Sequence, residues 1–276
     1  MMSPIQTVSP LSIVFMCVTL LICFGVPIGL AIWGKVKYKK AFSFAPLGLG
    51  IAGFVVSQII FRQLFLGSIL SMFDWYKAFV GDGTGWAFLI YSCFLAGLVE
   101  EPARFAAFSI LKKRHNYPDG LSYGIGHGGI EAILMTGFVF VNNIVFSLMI
   151  NTGSLASLGN AIPESVVTNM IQLPPATFLL GGVERIFAIL LHIALSLFLL
   201  KGFQTGSKWL RLPAAIILHG CANLLAVGTS RLAGAWSSEG VLFVIGVISL
   251  LYIIKQARNW RKDQTLLQQQ TIPAAE

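Results

Sequence analysis

The stretch that most constrains this chain is residues 91–111, YSCFLAGLVEEPARFAAFSIL. It is long and apolar enough to cross a bilayer, which takes about 20 residues as a helix. Yet it carries Glu100, Glu101 and Arg104 near its middle. Each ionisable group at that depth costs about 2.5–3.5 kcal/mol on insertion scales, so each needs a partner or a function. Helical spacing of three and four lets Arg104 pair with one of the two acids. The other carboxylate has to find its partner on another segment. Pro102 also removes a backbone donor from the preceding turn, which opens the helix where the carboxylates sit.

The other segments fit that demand. The chain is 56% hydrophobic and only 11% charged, against about 25% charged for a soluble domain. It therefore reads as an all-α, polytopic transmembrane bundle with seven spans at 11–33, 45–70, 86–111, 121–150, 178–200, 209–229 and 239–254. Residues 1–276 form one membrane domain, with a core of four helices across 86–229 and a Gln-rich tail at 263–276 that reads as disordered. A net charge of +8 would suggest nucleic acid in a soluble protein. Here the basic residues cluster at alternate span ends, so membrane orientation accounts for them and no nucleic-acid partner is expected. Lys35, Lys37, Lys39, Lys40, Lys112, Lys113, Arg114, Lys201, Lys208, Arg211, Lys255, Arg258, Arg261 and Lys262 fall on one side, and Lys77 and Arg231 on the other. The positive-inside rule then puts the N-terminus outside and the C-terminus in the cytoplasm of a multi-pass plasma-membrane protein. Cys17, Cys23, Cys93 and Cys221 lie in apolar runs without a CxxC, and read as small buried hydrophobes. Arg62, toward the far end of its span, reads as a snorkelling side chain.

Helix rise converts sequence position into depth at about 1.5 Å per residue. On that scale Glu100 and Glu101 lie roughly 15 Å from the cytoplasmic boundary, His127 roughly 9 Å, and Glu131, His192 and His219 roughly 12–15 Å. Four helices thus bring carboxylates and imidazoles into one slab, with Glu184 about two turns nearer the outside. Each of these histidines has a polar group four residues on: Glu131, Ser196 and Asn223. That spacing puts both on one helix face. Imidazoles with carboxylates are zinc donors, and a carboxylate beside them can act as general base. His127, Glu131, His192 and His219 are therefore the candidate metal ligands and Zn²⁺ the expected metal. The glycines at 120, 124, 126, 128 and 129 and the Pro102 kink are expected to leave room for a polar cavity, open toward the cytoplasmic half. His115 sits in a basic loop and reads as surface.

The motifs EEPAR at 100–104, GIGHGGIEAIL at 124–134, ERIFAILLHIALS at 184–196 and HGCAN at 219–223 resemble the YhfC family of intramembrane metalloproteases. That family is similar to the PrsW proteases and to the type II CAAX prenyl endopeptidases. The CAAX-type pattern matches Glu100 and Glu101, Tyr123 with His127, and His219 with Asn223, while Arg104 stands one residue closer to the acids. His192 and Glu131 are additions that look closer to PrsW-like relatives. The resemblance covers about 86–229. It implies cleavage of a peptide bond in or beside the membrane of a membrane-associated peptide or protein.

The chain reads accordingly as an intramembrane endopeptidase. Glu100 or Glu101 would be the base, Arg104 would hold the other glutamate, and Asn223 would donate to the oxyanion. Two other classes use similar residues. A proton- or ion-coupled transporter would carry buried Glu and His relays, but an inverted repeat or paired broken helices would be expected with it. A noncatalytic scaffold or immunity-type protein would keep the fold alone. The topology has its own check. Reporter fusions after Lys40, Arg114, Lys208 and Lys262 are expected to report cytoplasm, and fusions within 71–85 and 151–177 the opposite side.

Overall fold

The structure, a computed structural model, describes residues 7–81, 83–112, 115–155 and 163–271. Among these residues the chain is helical without strands, and seven helices are long and apolar enough to cross a membrane. In chain order the helices are α1 (Pro10–Tyr38), α2 (Phe44–Leu70), α3 (Asp74–Val80), α4 (Trp86–Ile110), α5 (Tyr117–Asn151), α6 (Glu164–Gln172), α7 (Pro175–Thr205), α8 (Lys208–Ala233) and α9 (Ala235–Thr271). The short α3 and α6 lie between spans at the end of the bundle away from the lysine-rich loops. Successive spans run antiparallel, so the ends of α1, α4, α7 and α9 that lead to basic residues share one face with the starts of α2, α5 and α8. We call this the basic face.

The helix ends follow local chemistry. Ser9 caps α1, its hydroxyl accepting from Ser12 N at 3.0 Å, and Pro10 starts the first turn, where the missing N–H costs nothing. At α5, Asn116 accepts from Asp119 N at 3.0 Å while Asp119 accepts from Asn116 N, a reciprocal cap that fixes the start beside Pro118. Gly206 closes α7 in the left-handed region at φ 77°, which a residue with a Cβ seldom adopts. Residues 1–6, Asp82, Lys113, Arg114, and residues 156–162 and 272–276 lie outside the described residues. The last span is longer than its apolar run suggests. α9 continues helically past Asp263 to Thr271, across the part of the tail that composition alone reads as disordered. That stretch contains no Gly or Pro before Pro273, so no residue in it breaks the helix.

The first half of α5 is the hub. Every residue of 117–129 is buried, as expected for a helix enclosed on all sides. It packs against α2 on one flank and α7 on the other, with α1 across it, while α4 pairs with α8. The glycines make this possible, though not by leaving a cavity as their spacing suggests. A Cβ on Gly126 would sit 2.1 Å from the Leu47 carbonyl oxygen, and one on Gly124 would sit 2.5 Å from Ile193 Cα. Backbone fills the space that the missing side chains leave, the close approach that small residues allow in membrane bundles. Two helices also contain π-wound turns. Val55–Leu66 of α2 and Ala132–Gly137 of α5 are widened segments of the kind that recurs at functional sites. Gly126→Ala is expected to destabilise the protein by about 1–3 kcal/mol, because neither backbone can retreat without disturbing α2. Thermal unfolding in detergent, followed by loss of the monodisperse chromatographic peak, measures it.

Candidate metal and catalytic centre

The polar residues singled out above meet where α4, α5, α7 and α8 face one another. Glu100, Glu101 and Arg104 are 3%, 0% and 0% exposed, and His127, His192 and His219 are equally enclosed. Arg104 Nη1 donates to Glu101 Oε2 at 2.9 Å, the intrahelical ion pair expected from the spacing. Its Nη2 lies 3.0 Å from His192 Nδ1 on α7. A guanidinium only donates, so Nδ1 accepts and the proton of a neutral His192 sits on Nε2. Glu101 Oε1 lies 2.9 Å from His219 Nδ1 on α8, which places the imidazole proton on Nδ1 and turns Nε2 inward. Glu101 thus has both oxygens engaged and fixes the ring of His219.

Glu100 is held by different groups. Its Oε2 is 2.8 Å from His127 Nε2 and 3.9 Å from His219 Nε2. Its Oε1 accepts from the Gln58 side-chain amide on α2. Gln58 Oε1 in turn accepts from Arg62 Nη1 at 3.1 Å, and Arg62 Nη2 is anchored on Ser92 of α4, 3.0 Å from the carbonyl and 2.7 Å from Oγ. This corrects the reading of Arg62 as a snorkelling side chain. It turns inward, fixes the Gln58 amide and ties α2 to the helix that carries the acids. Gln58 and Arg62 are four apart, on one face of a mostly apolar span that also holds Ser57 and Gln63, and that i,i+4 polar pair is the available signal for both. They sit on the π-wound part of α2.

Three donors converge closely. Glu100, His192 and His219 each offer one ligand atom, all within 4.8 Å of one another. Two histidines and a glutamate are the set that catalytic zinc sites use when a position is left open for water or substrate. The histidine with its proton on a carboxylate, as His219 has on Glu101, is the usual companion of such a ligand. The donor types fit a divalent metal, but both nitrogens of His192 are engaged here, Nδ1 by Arg104 and Nε2 by Glu131, so His192 would hold the metal through Nδ1 in place of its Arg104 contact. His127 and Glu131 stand one contact behind: His127 touches Glu100, and Glu131 Oε2 is 2.6 Å from His192 Nε2. The rings of His127 and His192 are 4.7 Å apart between centroids, and those of His192 and His219 are 5.3 Å apart.

Glu131 differs from the other two acids. Its side chain is 18% exposed, and its Oε2 has no aligned hydrogen bond from the described residues. Its Oε1 accepts from Arg185 Nη1 at 3.1 Å, and Arg185 also pairs with Glu184. Glu131, His192 and Asn223 line a cavity of about 90 Å³ together with Glu184 and Arg185. Asn223 is half-buried there, on the helix face below His219. The cavity runs from His192 away from the basic face, so the expectation of an opening toward the cytoplasmic half does not describe it. On the other side of the histidines glycine packing draws α5 tightly against α2 and α7, and the space between α7, α8 and α9 is an apolar cleft of about 330 Å³.

Fold and site define a multi-pass helical membrane protein with a carboxylate, histidine and arginine cluster suited to a metal inside the bundle. The sequence comparisons narrow that class. The family model described as YhfC intramembrane metalloprotease matches residues 22–262. A relative from Bacillus subtilis (strain 168), bearing the name "Uncharacterized membrane protein YhfC", is 32% identical over 265 residues, covering 91% of this chain and 98% of that protein. The chain belongs to the YhfC family of intramembrane metalloproteases. No solved structure matches it.

The Gln58 contact can be tested on its own. Gln58→Leu leaves Glu100 Oε1 without its donor and Arg62 Nη1 without its acceptor, and is expected to cost about 1–3 kcal/mol of stability. Thermal unfolding in detergent, beside the lipid-facing control Ile217→Ala, is the measurement.

Proposed function

We propose that this protein is a zinc endopeptidase that hydrolyses a peptide bond of a membrane-associated protein at bilayer depth. The observation that carries this reading is the convergence of Glu100, His192 and His219 within 4.8 Å, fully inside the bundle and next to a cavity lined by a further carboxylate. Glu100, His192 and His219 would hold the metal. When bound, Zn²⁺ supplies Lewis acidity toward a carbonyl oxygen and a water.

The chain's own residues account for the other requirements of hydrolysis. A base must take a proton from water as its oxygen bonds to the carbonyl carbon. The same proton must then reach the nitrogen as the C–N bond breaks. Glu100 and Glu101 are fully enclosed with both oxygens engaged by protein groups, whereas Glu131 is partly exposed and faces the cavity, its Oε2 beside the protonated Nε2 of His192 at 2.6 Å. Glu131 therefore suits the role of proton carrier better than either member of the acid pair, and Glu100 suits that of ligand. Asn223, on the same cavity wall, has two amide hydrogens for a developing oxyanion. Arg104 holds Glu101 in place, and Glu101 orients His219.

The two kinds of residue separate experimentally. Glu131→Gln is expected to keep the metal and slow proteolysis by about 10²–10⁴-fold. Glu100→Gln and His219→Ala are expected to lose metal and activity together. Elemental analysis of purified protein gives the first readout. New N-termini in the membrane proteome of cells with and without each variant give the second. Full activity in Glu100→Gln, or in wild type stripped of metal, overturns the assignment.

A further inference from the structure

Hydrolysis inside a bilayer needs a path for water, and the structure offers one on the side that charge distribution alone did not indicate. Beyond the 90 Å³ cavity at His192 lies a larger one of about 540 Å³. Its walls include Gly83 and Thr84 before α4, Ser230 and Arg231 at the end of α8, and Ser238 near the start of α9. All of these lie at the end of the bundle opposite the basic face. The two cavities share four wall residues, Glu184, Ala226, Val227 and Leu242. The two cavities therefore adjoin, and these four side chains stand on the course from the mouth at Ser230 to Glu131 and His192; a third cavity of about 330 Å³, between α7, α8 and α9, adjoins the inner one at Leu191, Ala222 and Ile245, but its lining is almost wholly apolar.

The inner part of that course is built for water. Its volume is several times the roughly 10–15 Å³ that one water needs, and polar atoms line it. Among the described residues, Arg185 Nε is buried without a hydrogen-bond partner, and so is Oε2 of Glu239, the residue after Ser238, while Glu131 Oε2 has His192 Nε2 beside it at 2.6 Å. An unmet polar atom in a membrane interior costs several kcal/mol, and waters along this course would supply the missing bonds. Arg185 bridges Glu131 and Glu184 across the junction of the two cavities. The chain of ion pairs thus spans the narrow point between vestibule and site.

We propose that the centre is reached by water, and by the substrate's scissile segment, through the mouth formed by Thr84, Ser230 and Ser238 on the face opposite the lysine-rich loops, with Arg185 and its two glutamates at the constriction. By the positive-inside rule that face is the outer one. The inference rests on the hydrolytic reading above and adds the side from which the reaction is supplied. It predicts that a polar reagent travels from that face to the level of Ala226, a turn short of Asn223, and does not reach it from the basic face.

Thiol accessibility tests this without any catalysis. Single cysteines are placed in a full-length chain whose Cys17, Cys23, Cys93 and Cys221 are replaced by alanine, with folding checked by chromatography. Ser230→Cys marks the mouth, Ala226→Cys the shared wall, Ile217→Cys the lipid face and Lys208→Cys the basic face. A membrane-impermeant charged methanethiosulfonate is applied to sealed vesicles of each orientation. The expected result is modification of Ser230→Cys and Ala226→Cys from the side opposite the one that labels Lys208→Cys, with Ile217→Cys inert. Adding Glu184→Ala, which removes one arm of the constriction, is expected to speed labelling at Ala226→Cys and leave Ser230→Cys unchanged. Labelling of Ala226→Cys only from the Lys208 side overturns the proposal. So does an Ala226→Cys that stays inert from both sides while Ser230→Cys reacts. Proteolysis can fail in the preceding experiment while the passage is present, so the two readings fall separately.

Discussion

A carboxylate in hydrocarbon persists only if other groups replace its water, and this bundle is arranged around doing so for Glu100 and Glu101. The acids are adjacent in sequence, so on a helix they point apart and need separate partners. Glu101 takes Arg104 and His219. Glu100 takes His127 and Gln58. These partners come from α2, α4, α5 and α8, and Arg104 reaches α7 through His192. Satisfying two charges therefore fixes five helices relative to one another. Desolvation of such groups offsets much of the attraction between them, so the network is weak evidence for net stability. It is better evidence for one specific packing, since removing any partner leaves a charge exposed to a low-dielectric interior.

The glycine-rich face of α5 makes that arrangement geometrically possible. Backbone contact at Gly124 and Gly126 brings α7 and α2 close enough for His192 and Gln58 to reach the acids. On this view the glycines and the charged cluster form one device. The first sets interhelical distance, and the second sets register along the helices.

Much of the centre is legible in the sequence because ionisable residues stand out against apolar spans. Residues Glu100, Glu101, Arg104, His127, Glu131, His192 and His219 can all be placed by counting helix rise, and they meet in space. Their division of labour is not legible, because helix rise gives depth and says nothing about which atom faces which. Arg62 is hidden for a different reason: a cation near a span end has an inexpensive explanation in snorkelling. Gln58 carries no charge, and a neutral amide in a span does not require a specific ionic partner in the way that Glu100 or Arg104 does. The glycine spacing shows that something comes close to α5, without showing whether it is backbone or void. The direction of the cavity depends on how α7, α8 and α9 pack against one another, which no local pattern records.

The π-wound turns of α2 carry one further consequence. A π turn uses an extra residue per hydrogen-bonded ring compared with an α turn, so Val55–Leu66 holds slack that ordinary helices lack. Removing a single residue there can be absorbed by rewinding to the regular helix, with the span still long enough to cross. The same rewinding would swing Gln58 and Arg62 around the axis, away from Glu100 and Ser92. The membrane would thus accept a shortened α2 that the acid pair would not, and the length of this segment is set by the chemistry in the bundle interior rather than by the thickness of the bilayer.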